Sequence, residues 1–260
     1  MLKNYTMLLK KGEAMSDLSN IGFTINSEDE FASLIEKSFE TASQIEVPWG
    51  FYIHFIDSSG AELWTQLNLE GEFIGVHPHF HGHSRRVVAI TKEIEGTETE
   101  LDGMFHAWAN PAELTEPESG EYPFVFNVPD IKVLDEMEYP QNVEIQLSAF
   151  AIDLDVYPNE DDYYGSQDEE LQFAVESFTP VGLFEEDEDD IPEPYAIFSG
   201  VVQQSEKRKN EMTGEEFYWM LVETLGGEVD VVASLDMCDE LPNPLSIIQG
   251  QFWLSGRVLD

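Results

Sequence analysis

Between Phe51 and Ile94 the chain consists of short aromatic and β-branched runs: Phe51 to Ile56, Glu62 to Leu69, Phe73 to Val76 and Arg86 to Ile94. "DSSG" and "EGE" separate the first three. Runs this short suit strands rather than helices, and polar breaks containing glycine close hairpins between them. The pattern predicts an antiparallel meander. The preceding segment is different. "SEDEFASLIEKSFETA", from Ser27, sets Phe31, Leu34, Ile35 and Phe39 at helical spacing, with Ser27 and Glu30 as a capping box and an acidic first turn that suits the helix dipole. One amphipathic helix is expected to pack on one face of the meander.

Further strands are expected at Phe124 to Val128, Val143 to Val156 and Leu171 to Phe178, with "YPNEDDYYGSQDEE" as a turn region. "FEEDEDDIPEP", Phe184 to Pro194, combines repelling charges with two prolines and reads as an exposed linker over 185–194. Beyond it, Gly200, Gly250 and Gly256 fall inside strand patterns, where glycine permits the bulging and coiling that let a small sheet close on itself. The expected fold is α+β and mostly β: an antiparallel sheet with one main helix over residues 15–184, then a small barrel resembling the oligonucleotide-binding fold over 195–260. "KKGEAM", ending at Met15, looks like a ribosome-binding sequence translated by mistake, so residues 1–14 are expected to be a mis-assigned start.

The segments "FYWMLVETLGGEVDVVAS", "GQFWLSGRV" and "YPFVFNVPD" resemble a family of bacterial proteins of similar length. The resemblance extends from Asn20 to the last residue. It implies a shared architecture and brings no activity and no functional residue to transfer.

Charge limits the choice of partner. The chain carries 53 Asp and Glu against 12 Lys and Arg, a formal net charge of −41. Such a field repels nucleic acid and anionic membranes and attracts cations or basic proteins. The single cysteine, Cys238, excludes an intrachain disulfide and a cysteine metal cluster. No run has the length of a membrane span, and the N-terminal stretch lacks the apolar core of a signal peptide, so a cytoplasmic bacterial protein is expected.

Four of the six histidines, His77, His79, His81 and His83, alternate in "GVHPHFHGHSRR". Strand periodicity would set them along one face, where two imidazoles and a carboxylate could hold zinc or another divalent metal. Pro78 and Gly82 interrupt that geometry, however, and the tract matches neither a His-Glu-x-x-His helix nor a cupin-like site, which favours a solvated strand edge without resident metal. Arg85 and Arg86 have the chemistry of an anion contact or of a salt-bridge anchor. Lys207, Arg208 and Lys209 lie in an expected barrel loop, where such folds bind ligands. There is no phosphate-binding Gly-rich loop, no Gly-x-Ser-x-Gly elbow and no kinase signature. The expectation is a non-enzymatic acidic module that binds a basic protein, in the manner of an immunity-type inhibitor, with no cofactor. The alternatives are a metal-binding protein or metal-dependent hydrolase built on the histidine tract, and a housekeeping protein whose charge serves solubility.

Overall fold

Ser27 starts the longest helix that lies wholly within the described residues, α1 (Glu28–Ser38), in the way its sequence dictates: its hydroxyl accepts the Glu30 N–H at 3.2 Å, and the Glu30 carboxylate accepts the Asn26 N–H at 2.7 Å. Phe31, Leu34 and Ile35 are buried, whereas Phe39, expected on the same face, caps the helix and is exposed. The computed structural model describes residues 18–95, 99–113, 116–168, 172–183 and 191–259. The proposed start over 1–14 and residues 185–190 of the expected linker lie outside them. Ile191–Pro194 lead directly into the next strand.

The expected meander is present as β1 (Ser43–Val47), β2 (Gly50–Ile56), β3 (Ala61–Leu67) and β4 (Phe73–Phe80), all antiparallel in that order. A second sheet holds β5 (Arg86–Glu95), β6 (Gly103–Ala109), β7 (Pro123–Asn127), β8 (Gln141–Ala151), β9 (Asp155–Tyr157), β10 (Ser177–Val181), β11 (Tyr195–Lys209), β12 (Glu216–Thr224), β13 (Gly227–Ser234) and β14 (Ile247–Val258). A short helix, α2 (Glu160–Gly165), follows β9 inside the segment expected to be a turn. The strand expected at Leu171 to Phe178 begins only at Ser177, and the one expected at Val143 to Val156 breaks between β8 and β9.

The second sheet closes on itself. β11 pairs with β12, β12 with β13, β13 with β8, β8 with β14, and β14 with β11 again. A longer path from β8 to β14 runs through β5, β6 and β7, so the full circuit has eight strands. The protein is therefore α+β and mostly β, with a four-stranded antiparallel sheet and a closed barrel. The barrel takes strands from both sides of residues 184–194, and its core does the same: Val88, Phe105, Phe124 and Leu147 pack in one cluster with Phe198, Met220, Phe252 and Leu254.

Strand alternation distributes the rest. On β12, Met220 and Val222 point into the barrel while Phe217, Trp219 and Leu221 point outward into a second core with α1, Phe55, Leu63 and Phe80. On β4 the fully buried Phe80 joins that apolar core, edge-on to Phe217 at 6.1 Å. His79, one residue earlier, points to the opposite face and into a polar seam. Because β11 and β5 wall the same barrel, Phe198→Ala, which removes a ring stacked 4.0 Å from Phe252, should cost about 3–5 kcal/mol in denaturant unfolding. Hydrogen exchange should quicken in β5 and β6 together with β12.

Candidate functional site

The four-stranded sheet and the barrel meet over a concentration of buried polar side chains. On the sheet side, cross-strand pairing sets His54 opposite Trp64, Glu62 opposite His79 and Trp64 opposite His77, all on one face. On the barrel side stand Gln146, Ser148, Asp230 and Ser255, each buried, with Arg257 beyond them. Asn127 at the end of β7, with Asp102 before β6 and Asp130 after β7, closes the seam.

Asp230 anchors one end. It is fully buried, and its carboxylate accepts four N–H donors: His83 backbone N at 2.9 Å and Trp219 Nε1 at 2.8 Å on Oδ1, Ser84 backbone N at 2.8 Å and Gln146 Nε2 at 2.8 Å on Oδ2. The chain comes this close only because residue 82 is glycine, since a Cβ there would lie 2.0 Å from Asp230 Cγ. Gln146 must donate to the carboxylate, so its oxygen faces His79 Nε2 at 2.8 Å, and that nitrogen carries the proton. His79 Nδ1 is then left to accept the Ser255 hydroxyl at 2.8 Å. Burial holds the His79 pKa down to about 4, against the opposing pull of Glu62. The ring is neutral at pH 7.

Glu62 is the least satisfied member. It is fully buried; Oε2 accepts Trp64 Nε1 at 2.8 Å and lies 3.3 Å from His54 Nε2. Oε1 accepts no hydrogen bond among the described residues, with His81 Nδ1 at 3.8 Å and Arg257 Nη1 at 3.9 Å. Burial raises its pKa, but His54, His79 and Arg257 outweigh burial and bring it down to about 2. Arg257 itself is held by Asp130 at 2.7 Å and sits 5.0 Å from the Trp64 ring centre. Burial raises the pKa of Asp102, but His77, whose Nε2 lies 2.6 Å from Oδ1, together with Gln66 and the Thr99 N–H brings it down to about 2.

The histidine tract is thus divided. His77 and His79 lie on β4 with separate partners, and β4 ends at Phe80. His81 faces Glu62 with its side chain 59% exposed, and His83 stands edge-on to Trp219 at 5.0 Å. His81 and His83 are exposed, as expected of a solvated edge, whereas His77 is half-buried and His79 is at 0% exposure. Among the described residues, no group of three or more His, Cys, Asp or Glu side chains is arranged to hold a metal ion. Ser255 and His79 form a nucleophile–base contact, but both are fully buried and the group behind the histidine is an amide, so the pair is closed to substrate.

The expected anion contacts are also dispersed. Arg85 is exposed, 3.6 Å from Glu144. Arg86 is buried, donating to Tyr122 Oη at 2.8 Å and to the Gly226 carbonyl at 3.2 Å, with its Nη1 atom lacking a partner among the described residues. Gly226, in the left-handed region at φ 81°, turns the β12–β13 hairpin tightly enough to meet it. Lys207, Arg208 and Lys209 lie on β11 rather than in a loop. Lys207 pairs with Glu216 at 2.8 Å, Arg208 covers Trp219 at 4.2 Å, and Lys209 is exposed in register with Glu216.

Sequence reasoning passed over Glu62, Gln146, Asp230 and Arg257. Glu62 and Gln66 alternate with leucines in "AELWTQL" and read there as a solvent face, with only Trp64 between them as a sign of burial. No protein family, no curated protein and no solved structure matches the chain.

Asp230→Asn replaces one acceptor oxygen by an NH2 group that faces two N–H donors and should lower stability by about 3 kcal/mol, read by chemical denaturation. The seam also sets an acid limit. Between pH 6.5 and about 4 the unfolded chain takes up a proton that buried His79 refuses, so stability is full above pH 6.5 and declines as pH falls through this window. The loss is on the order of 3 kcal/mol. Glu62 and Asp102, whose folded values are depressed, add a further loss from about pH 4.5 down to about 2. His79→Gln should flatten the upper limb and leave the Asp102 part of the lower one, measured by denaturation from pH 7 to pH 3.

Proposed function

We propose that this protein is a non-enzymatic, cytoplasmic binding module whose acidic surface engages a basic protein, of the kind an immunity-type inhibitor masks. One observation carries the reading: the fold turns inward or pairs six of its nine described cations, leaving Lys37, Lys92 and Lys209 exposed, and keeps most of its carboxylates outside. Arg85, Lys132, Lys207, Arg208 and Arg257 each lie within salt-bridge distance of a carboxylate, and Arg86 is buried on carbonyls and rings. Of the acidic side chains described, only Asp57, Glu62, Asp102, Asp130 and Asp230 are buried. Among the described residues the negative charge is therefore concentrated at the surface, with few free cations there to offset it. The sealed Ser255–His79 pair supports a non-enzymatic role. Among the described residues no helix is long and apolar enough to cross a membrane.

Long-range attraction speeds encounter, while close contacts set residence time. With a Debye length of about 8 Å at physiological salt, association with the basic partner should slow steeply as salt rises, while dissociation changes little. Binding kinetics across a salt series, with a basic protein co-purified from the host, provide the measurement. An association rate indifferent to salt leaves the acidic surface as a solubility feature and removes the reading.

A further inference from the structure

Charge alone gives promiscuous binding, so a selective partner needs an apolar anchor point within the acidic surface. We infer that this point is the patch formed by Trp49, Val133 and Tyr139, and that it receives a basic segment carrying an apolar side chain. The inference rests on the reading proposed above and adds where the partner docks.

Trp49 lies in the two-residue turn between β1 and β2, with 47% of its surface exposed. Val133 ends the 3-10 turn Ile131–Val133 and is 43% exposed; Tyr139 follows on the same loop at 37%. One ion pair ties Trp49 and Tyr139 together, with Val133 next to its lysine in the chain. Lys132 Nζ sits 5.8 Å from the Trp49 ring centre and 2.6 Å from Glu93 Oε1. Glu93 is paired in register with Phe105, whose ring meets that of Tyr139 at 6.3 Å. The raised Tyr139 pKa, caused by burial and then by the Glu93 charge, fits the same proximity.

The chemistry of the rim selects the occupant. Asp135, Glu136 and Glu138 are exposed on the loop between Val133 and Tyr139, and Glu93 is exposed beside it. The one cation in the middle, Lys132, is already neutralised by Glu93. Trp and Tyr are the side chains that most often dominate binding energy when an interface covers them, and a polar rim is their usual setting. The mutual repulsion of two chains each of formal charge −41 disfavours a second copy as occupant. A partner presenting lysines or arginines around a leucine or aromatic side chain matches both the centre and the rim.

The probes are a short lysine-rich peptide containing leucines and a peptide of equal charge with glycines in place of the leucines. The protein is labelled with 5-fluorotryptophan at its 5 tryptophans, and the Trp49 resonance is assigned with Trp49→Phe. The leucine peptide should shift the Trp49 signal and bind roughly ten-fold more tightly than the glycine peptide. A Trp49→Ala, Tyr139→Ala double variant with unchanged thermal unfolding should bring the two affinities together. Tighter leucine-peptide binding with an unmoved Trp49 signal and an unaffected double variant overturns the patch while leaving the basic-partner reading in place. Equal affinity of the two peptides for the unaltered protein also overturns the patch. Absence of salt-sensitive binding by either peptide overturns the basic-partner reading itself, and the patch with it.

Discussion

A carboxylate without a cation partner governs the junction between sheet and barrel. Asp230 is stabilised inside the protein by four N–H donors drawn from the 82–84 turn, β12 and β8. Each donor is itself committed to the fold, so displacing the carboxylate would strand several buried groups at once. Its orientation passes through Gln146 to His79 and on to Ser255 in β14, fixing one histidine tautomer 67 residues away in sequence from its amide partner. The contact between β4 and the barrel is therefore specified by polar geometry on one face and by Phe80 in the apolar core on the other.

The same seam explains why the histidines do not behave as a group. Alternation along β4 sends His77 and His79 to one face, yet the barrel opposite presents a different partner to each: Asp102 to the first, Gln146 and Ser255 to the second. Beyond Phe80 the chain turns onto Asp230, which removes His83 from the line and leaves His81 at the rim beside Glu62. The tract's spacing is a consequence of wedging a strand between two environments.

Electrostatics are partitioned by the fold rather than spread evenly. Arginines 86, 208 and 257 spend their charge on rings, carbonyls and buried carboxylates inside the structure, where planar guanidinium groups stack well. Most carboxylates remain outside. The surface is thus more negative, relative to the interior, than composition alone would require, and the exposed Trp49 and Tyr139 lie within that field.

The helix from Ser27, the hairpins between Phe51 and Phe80 and the strand character of the tail were legible in the sequence, because each depends on periodicity and turn chemistry within a few residues. The strand β6 was legible in principle from "GMFHAWA", where Phe105, Ala107 and Ala109 alternate with half-buried neighbours. Barrel closure was legible as a type from Gly200, Gly250 and Gly256, but its membership was not: which strand lies beside β13 or β14 is decided by long-range pairing, and β8 takes both places. The polar seam was hidden for a related reason. A glutamate alternating with leucines has the same pattern whether the far side is water or another sheet. Local residue order determined the helix, the hairpins, the strand character of the tail and the overall charge; only tertiary packing decided that Glu62, His79 and Asp230 face one another away from water, because burial depends on what arrives from distant parts of the chain.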